Sequence, residues 1–410
     1  MAPRCRFCAT PLATVMADLG ATPVANAFLE PDAAAIAAER CYPLKVMVCH
    51  ACFLAQTTET VPPEAIFTGD YAYLSSYSTS WLDHARRYAE AMTERFGLGP
   101  ASQVVEIASN DGYLLQYFAA RDIPVLGVEP AANAAAIAET RAVPTRVAFF
   151  DRAEAERLAA EGLSADLMAA NNVLAHVPDI AGFVAGFAAL LKPAGVATFE
   201  FPHLMRLIAG LQFDTIYHEH YAYLSLLAVE RVFAAGGLAV FDVEELATHG
   251  GSLRVFAQRV GGPHAQTPTV TRLRAAEEAA GLADMATYSA FNARIASVCE
   301  GFRAFLAEAR GAGRTLAAYG AAAKGNTFLN VCGVTRDDIA FAVDRNPVKQ
   351  GRLLPGSHIP VRAPEALDAS APDFVVILPW NLAEEIRAAN RTVETRGGRF
   401  VVAIPQTRLL

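Results

Sequence analysis

The chain is short of charge. Of its 410 residues 19% are charged against 53% hydrophobic, and the formal net charge is −8. With no basic excess, a nucleic-acid or anionic-membrane partner is excluded, although a local basic pocket for one anionic small molecule is not. No apolar run approaches the ~20 residues needed to span a bilayer. The first eight residues hold no apolar signal core, so a cytoplasmic protein is expected, acting as a monomer. The motif GxGxxG is absent, which counts against a bound dinucleotide and hence against a sugar-nucleotide epimerase or oxidoreductase. Seven cysteines, an odd number, do not form a disulfide framework.

Four of those cysteines do form a pattern. Cys5 and Cys8, then Cys49 and Cys52, are two CxxC knuckles about forty residues apart. Each puts two thiolates on one tight turn, and two facing turns make a tetrahedral sulfur cage for zinc. Four protein ligands leave no open position, so the metal is expected to be structural. Cys41 and His50 lie nearby but in neither knuckle. The stretch Tyr71–Trp81, rich in Tyr and Ser, reads either as a capped helix start or as a substrate lid, with Tyr77 a candidate contact.

From Gln103 the pattern becomes strand, turn, helix, strand. Val104–Ile107 runs into Ala108-Ser109-Asn110-Asp111-Gly112, and Pro124–Val128 ends on Glu129. A carboxylate closing the second strand of a doubly wound domain accepts from ribose hydroxyls. A ligand with a ribose and no phosphate, S-adenosylmethionine, suits a turn without GxGxxG. Glu106 and Asp111 would face its amino-acid end, with Gly112 in the turn. Further strands are expected to end near Asn171, with His176 following, and near Glu200. Two more, around 238–243 and 252–258, close the sheet.

Between the fifth and sixth strands lies Asp214–Ser225. Its residues 217–223 hold Tyr217, His218, Glu219, His220, Tyr221 and Tyr223, although the whole chain has only nine histidines. No core needs so many polar tips, and the composition is that of proton-transfer machinery. Residues 272–312 read as linking helices. A second α/β unit follows, with a turn at Gly320–Thr327 and a strand ending at Asp344. Asn326 stands where a P-loop wants Lys, so a nucleotide triphosphatase is rejected. Lys324, Asn326 and Asp344 suit a diphosphate better.

Together the cysteine module, EIASNDG (106–112), YHEHYAYLS (217–225), HGGSLR (249–254), YGAAAKGNT (319–327) and VDRNPVKQG (343–351) resemble the nucleotide-sugar C-methyltransferases over essentially the whole chain. One departure is Ala108, where the family usually has Gly. The resemblance implies an α/β protein of three domains: a zinc module (1–70), a class I seven-stranded S-adenosylmethionine domain (71–260) and, after linking helices (261–312), a C-terminal Rossmann-like domain (313–410) that helps hold the nucleotide sugar. It implies methyl transfer to the carbon beside the ketone, C3, of a 4-keto-deoxysugar on thymidine diphosphate. His220 is then expected to be the base, with Glu219 orienting it or adjusting its pKa. Tyr217 and His176 would donate to an enolate oxygen, and His218 and Tyr221 would pack. An O- or N-methyltransferase is the nearest rival, and it would need no enolate-stabilising cluster.

Overall fold

The computed structural model describes residues 3–58, 61 and 74–410. Tyr71 and Tyr73, part of the candidate lid, lie outside the described residues. Among the described residues no helix is long and apolar enough to cross a membrane. The described residues fold around three sheets.

The N-terminal module is an antiparallel meander of β1 (Thr14–Pro23), β2 (Cys41–Val48) and β3 (Ala55–Thr57). Both cysteine knuckles sit at the same end of it. Helix Thr79–Phe96 then leads to the central domain. The Ser78 side chain accepts from Trp81 N at its start, and Gly97 closes it at φ +60. Such an N-cap contributes about 1 kcal/mol.

The central sheet starts with β4 (Val104–Ile107), β5 (Val125–Val128) and β6 (Thr145–Arg146), all parallel. The chain then crosses back to β7 (Ala165–Asn171) and β8 (Leu191–Pro202). Val104, Val105 and Leu167 are wholly buried, as both faces carry helices. The short β9 (Ala222–Tyr223) leaves this domain and pairs antiparallel with β3, giving the N-terminal sheet a fourth strand taken from the His-rich segment. Finally β10 (Leu238–Leu246) and β11 (Ser252–Arg259) complete seven strands in the order β10-β11-β8-β7-β4-β5-β6, with β11 antiparallel to both neighbours. The order reverses between β4 and β7, and ligands of open α/β sheets bind at the strand ends of such a switch point.

Linking helices Pro268–Ala279, Met285–Ser289 and Phe291–Gly311 follow. The first is anchored by Glu277, fully buried, which accepts from Leu226 N and Leu227 N at the start of helix Leu226–Ala235 and from His203. The C-terminal sheet comprises β12 (Leu316–Tyr319), β13 (Ala342–Val343), β14 (Val361–Arg362), β15 (Phe374–Ile377), β16 (Arg399–Val402) and β17 (Arg408–Leu409), in the order β14-β13-β12-β15-β16-β17. Its own switch point lies between β12 and β15. The turns leaving those two strands carry Lys324 and Trp380, and both turns meet the His-rich segment.

Candidate active site

The four knuckle cysteines converge. Their sulfurs lie within 4.8 Å of one another, with Cys5–Cys52 and Cys8–Cys52 at 3.6 Å and Cys8–Cys49 at 3.5 Å. Zinc–sulfur bonds of ~2.3 Å in a tetrahedron require sulfurs about 3.8 Å apart, so this set fits zinc. Gln56 Nε2 donates to Cys5 Sγ at 3.2 Å, a partner for thiolate charge. Cys41 is outside the cluster.

A cavity of about 420 Å³ opens at the carboxyl ends of β4, β5 and β7, a size suited to a cofactor. Ala108, Asn110, Glu129, Asn171 and His176 line it. Glu129 accepts from Asn110 N at 2.9 Å and Ala131 N at 2.8 Å, which hold it at the strand end with lone pairs to spare. Burial raises its pKa, and these two N–H groups oppose the rise. The other expected cofactor residues stand behind the wall. Asp111, wholly buried, pairs with Arg141 at 3.2 Å and accepts from Ser76. Gly112 has φ +76 and lies against helix Ala132–Thr140, where a Cβ would come 3.2 Å from that of Ala138. Glu106 is buried beside Tyr113, and burial lifts its pKa well above the carboxylate range. Tyr77 is 63% exposed, and the cavity wall takes Ser75 from that turn instead.

Sequence reasoning missed Trp81, Asn110, Asn172 and the Phe149–Asp151 turn, which also line the cavity. Asn110 and Asn172 follow strand ends at φ +50 and +55, where Asn is among the few side chains tolerated, and that was the available signal. Ala108 at φ +57 has no such excuse.

One ring away from the cavity lies the proton-transfer cluster. His176 meets His220 edge-on, with ring centroids 4.7 Å apart, and Tyr217 lies on His220 at 4.0 Å. His220 Nδ1 is 2.8 Å from the carbonyl of Thr215. A carbonyl only accepts, so Nδ1 carries the proton and Nε2 keeps the lone pair. Burial, reinforced by His176, holds the His220 pKa well below its usual value, and burial lowers that of His176 to about 4. Both imidazoles are therefore neutral at neutral pH.

Glu219 does not orient His220. As the preceding residue it turns the other way and accepts from Asn26 Nδ2 at 2.7 Å, while burial raises its pKa to about 7. His218 donates from Nε2 to Tyr42 O at 3.1 Å on the opposite wall, and the Tyr221 hydroxyl donates to Val61 O. Tyr221 N also donates to Ala175 O at 2.7 Å, stitching the segment to the turn of His176.

The C-terminal domain closes the other side. Lys324 donates to Asn381 Oδ1 at 2.8 Å and lies 5.0 Å over the Trp380 ring. Burial lowers its pKa, with Asp214 opposing. Asn326 is buried and donates to Ala25 O at 2.6 Å, so it joins domains. Asp344 accepts from Ala321 N at 2.7 Å and Asn346 N at 2.8 Å, ordering its own loops.

A cavity at the switch point of a seven-stranded doubly wound sheet, in a chain that also carries a four-cysteine cluster fit for zinc and a buried pair of histidines, defines a class: the S-adenosylmethionine-dependent methyltransferases. Family profiles agree piece by piece. Residues 5–67 match a putative zinc binding domain, 81–243 a methyltransferase domain and 247–405 a C-methyltransferase C-terminal domain. The C-methyltransferase NovU of Streptomyces niveus is 37% identical over 408 residues, 99% of this chain and 96% of its own. A ubiquinone biosynthesis O-methyltransferase of Rhodopseudomonas palustris (strain BisA53) is 24% identical over 166 residues, 35% of this chain and 66% of that one. The chain belongs to the C-methyltransferase family, as an enzyme dependent on S-adenosylmethionine.

Proposed function

We propose that the acceptor is a 4-keto-deoxysugar linked to thymidine diphosphate, and that the methyl group goes to C3, beside the ketone, through an enolate. The observation that carries this reading is His220, neutral, anchored through Nδ1 and packed between Tyr217 and His176 one ring from the cofactor cavity. An O- or N-methyltransferase acts on an atom that already has a lone pair. A sugar carbon has none until a neighbouring ketone acidifies its C–H bond.

S-adenosylmethionine, when bound, supplies an electrophilic methyl group. Glu129 would hold its ribose hydroxyls and Asn171 lines the same site, while Asp111 and Gly112 shape the turn and Glu106 supports it from behind. His220 Nε2 removes the proton from the acceptor carbon, and Tyr217 hydrogen-bonds the oxygen on which charge develops. His176, whose ring N–H is given to the Glu219 carbonyl, packs against the base and has no second proton to donate. Lys324 belongs to the acceptor side, with Asn326 and Asp344 ordering the loops that present it.

The test is deuterium wash-in. The enzyme is incubated in heavy water with S-adenosylhomocysteine and a panel of thymidine diphosphate 4-keto-deoxysugars, and the sugars are read by mass spectrometry. Deuterium at the carbon beside the ketone supports the reading. No deuterium at that carbon, together with methyl transfer to an oxygen or nitrogen when S-adenosylmethionine replaces S-adenosylhomocysteine, refutes it.

A further inference from the structure

The turn that starts the proton-transfer segment is pinned from outside its own domain. Asp214 is 1% exposed, and its Oδ2 accepts from Trp380 Nε1 at 2.7 Å. Trp380 itself has little freedom. A Cβ at Gly250 would come within 2.4 Å of the indole Cη2, so the glycine-bearing turn is pressed against that ring. Lys324 covers the ring and is tied to the neighbouring Asn381. Two residues after Asp214, the carbonyl of Ile216 accepts from Thr327 Oγ1 at 3.0 Å, another donor from the C-terminal domain. Between these two anchors sits Thr215, whose carbonyl holds His220 Nδ1.

We propose that Trp380 and Thr327 are positioning residues for proton abstraction: through Asp214 and Ile216 they fix the Thr215 carbonyl that sets the tautomer and aim of His220. The inference rests on His220 being the base. A carbonyl's direction is set by the backbone dihedrals on either side of it. Holding residue 214 by its side chain and residue 216 by its carbonyl leaves that direction little freedom. The hydrogen bond to Nδ1 weakens steeply as its angle opens. Without it the neutral ring is free to carry its proton on Nε2, which then has no lone pair to act as base. The C-terminal domain thus does more than hold the acceptor, because the base is aligned only where that domain is docked.

The experiment uses the full chain carrying Thr327→Val, Thr327→Ser or Trp380→Phe. With histidine labelled by nitrogen-15 and no acceptor present, NMR reads the His220 ring, assigned by its loss in His220→Asn. The wild type and Thr327→Ser show the proton on Nδ1, and Thr327→Val and Trp380→Phe show a mixture. With S-adenosylmethionine and a thymidine diphosphate 4-keto-deoxysugar as probe, kcat falls about tenfold or more in those two variants, while the KM for S-adenosylmethionine is unchanged. Thr327→Ser restores kcat to within about twofold of wild type. The proposal is overturned if the tautomer is unmoved in both variants, including the case where kcat drops only in step with melting temperature. A wild type that is inert toward the probe while the tautomer still shifts refutes the acceptor reading and supports the positioning one.

Discussion

His220→Asn is the sharpest single perturbation of the site. The Asn amide nitrogen falls where His220 Nδ1 lies, so it donates to the Thr215 carbonyl now 2.8 Å from that atom. What is removed is Nε2 with its lone pair. Losing a positioned general base costs about 10²–10⁴ in rate, or ~3–5 kcal/mol of barrier. The cofactor cavity borders His176 and not His220, so affinity for S-adenosylmethionine stays as in the wild type. His220→Ala makes the necessary contrast. It loses the base and also leaves the Thr215 carbonyl buried without its donor, a cost of about 1–3 kcal/mol in stability before any cavity term. The assay pairs single-turnover methyl transfer and deuterium wash-in with urea unfolding and cofactor titration. The reasoning predicts equal kinetic loss in both variants and a stability loss concentrated in Ala. It is refuted if His220→Asn turns over within a few-fold of wild type, or still exchanges the acceptor proton.

Ala108 holds a left-handed backbone at φ +57, which costs an L-residue about 1–2 kcal/mol. Ala108→Gly therefore raises stability by up to about 1 kcal/mol after the entropy of the unfolded glycine is counted, and a drop in the urea midpoint would contradict this. Replacing Cys49 by Ser, or stripping the metal with a chelator, removes zinc binding on the order of 10 kcal/mol. Because β3 pairs with β9, hydrogen exchange at Ala222 and Tyr223 accelerates and activity falls with it; full activity in metal-free protein refutes that coupling. In pH dependence, the base must be neutral to act, and burial depresses the His220 pKa. Its competent form therefore persists as pH falls below 6.5, and the acid limb of kcat lies below that value. An acid limb at 6.5 or above that survives in Glu219→Gln assigns the limb elsewhere and contradicts the prediction.

Much of the architecture was readable in advance because it is written in local patterns. The strands of both α/β units are short apolar runs followed by small or polar turns, and the cysteine knuckles announce a metal by spacing alone. One or two long linking helices were expected over 272–312, and the structure has three, Pro268–Ala279, Met285–Ser289 and Phe291–Gly311. What was not legible arises from neighbours distant in sequence. Asn26 sits in an unremarkable loop, yet it meets Glu219 across 193 residues. Thr215 offers only a backbone carbonyl, which no side-chain pattern can reveal. Glu219 and His220, adjacent in the chain, were expected to work as a pair, but successive side chains diverge and the tertiary structure gives each its own partner.

The sequence by itself determined that this protein has a sulfur cage, an S-adenosylmethionine-binding α/β domain and a concentration of titratable groups at residues 214–225. Those properties depend on residue type and short-range spacing. The tertiary structure alone decided which ring nitrogen of His220 keeps its lone pair and which domain holds the ring in place. Tautomer and aim depend on where one carbonyl points, and that direction is set by Trp380 and Thr327, more than 100 residues away.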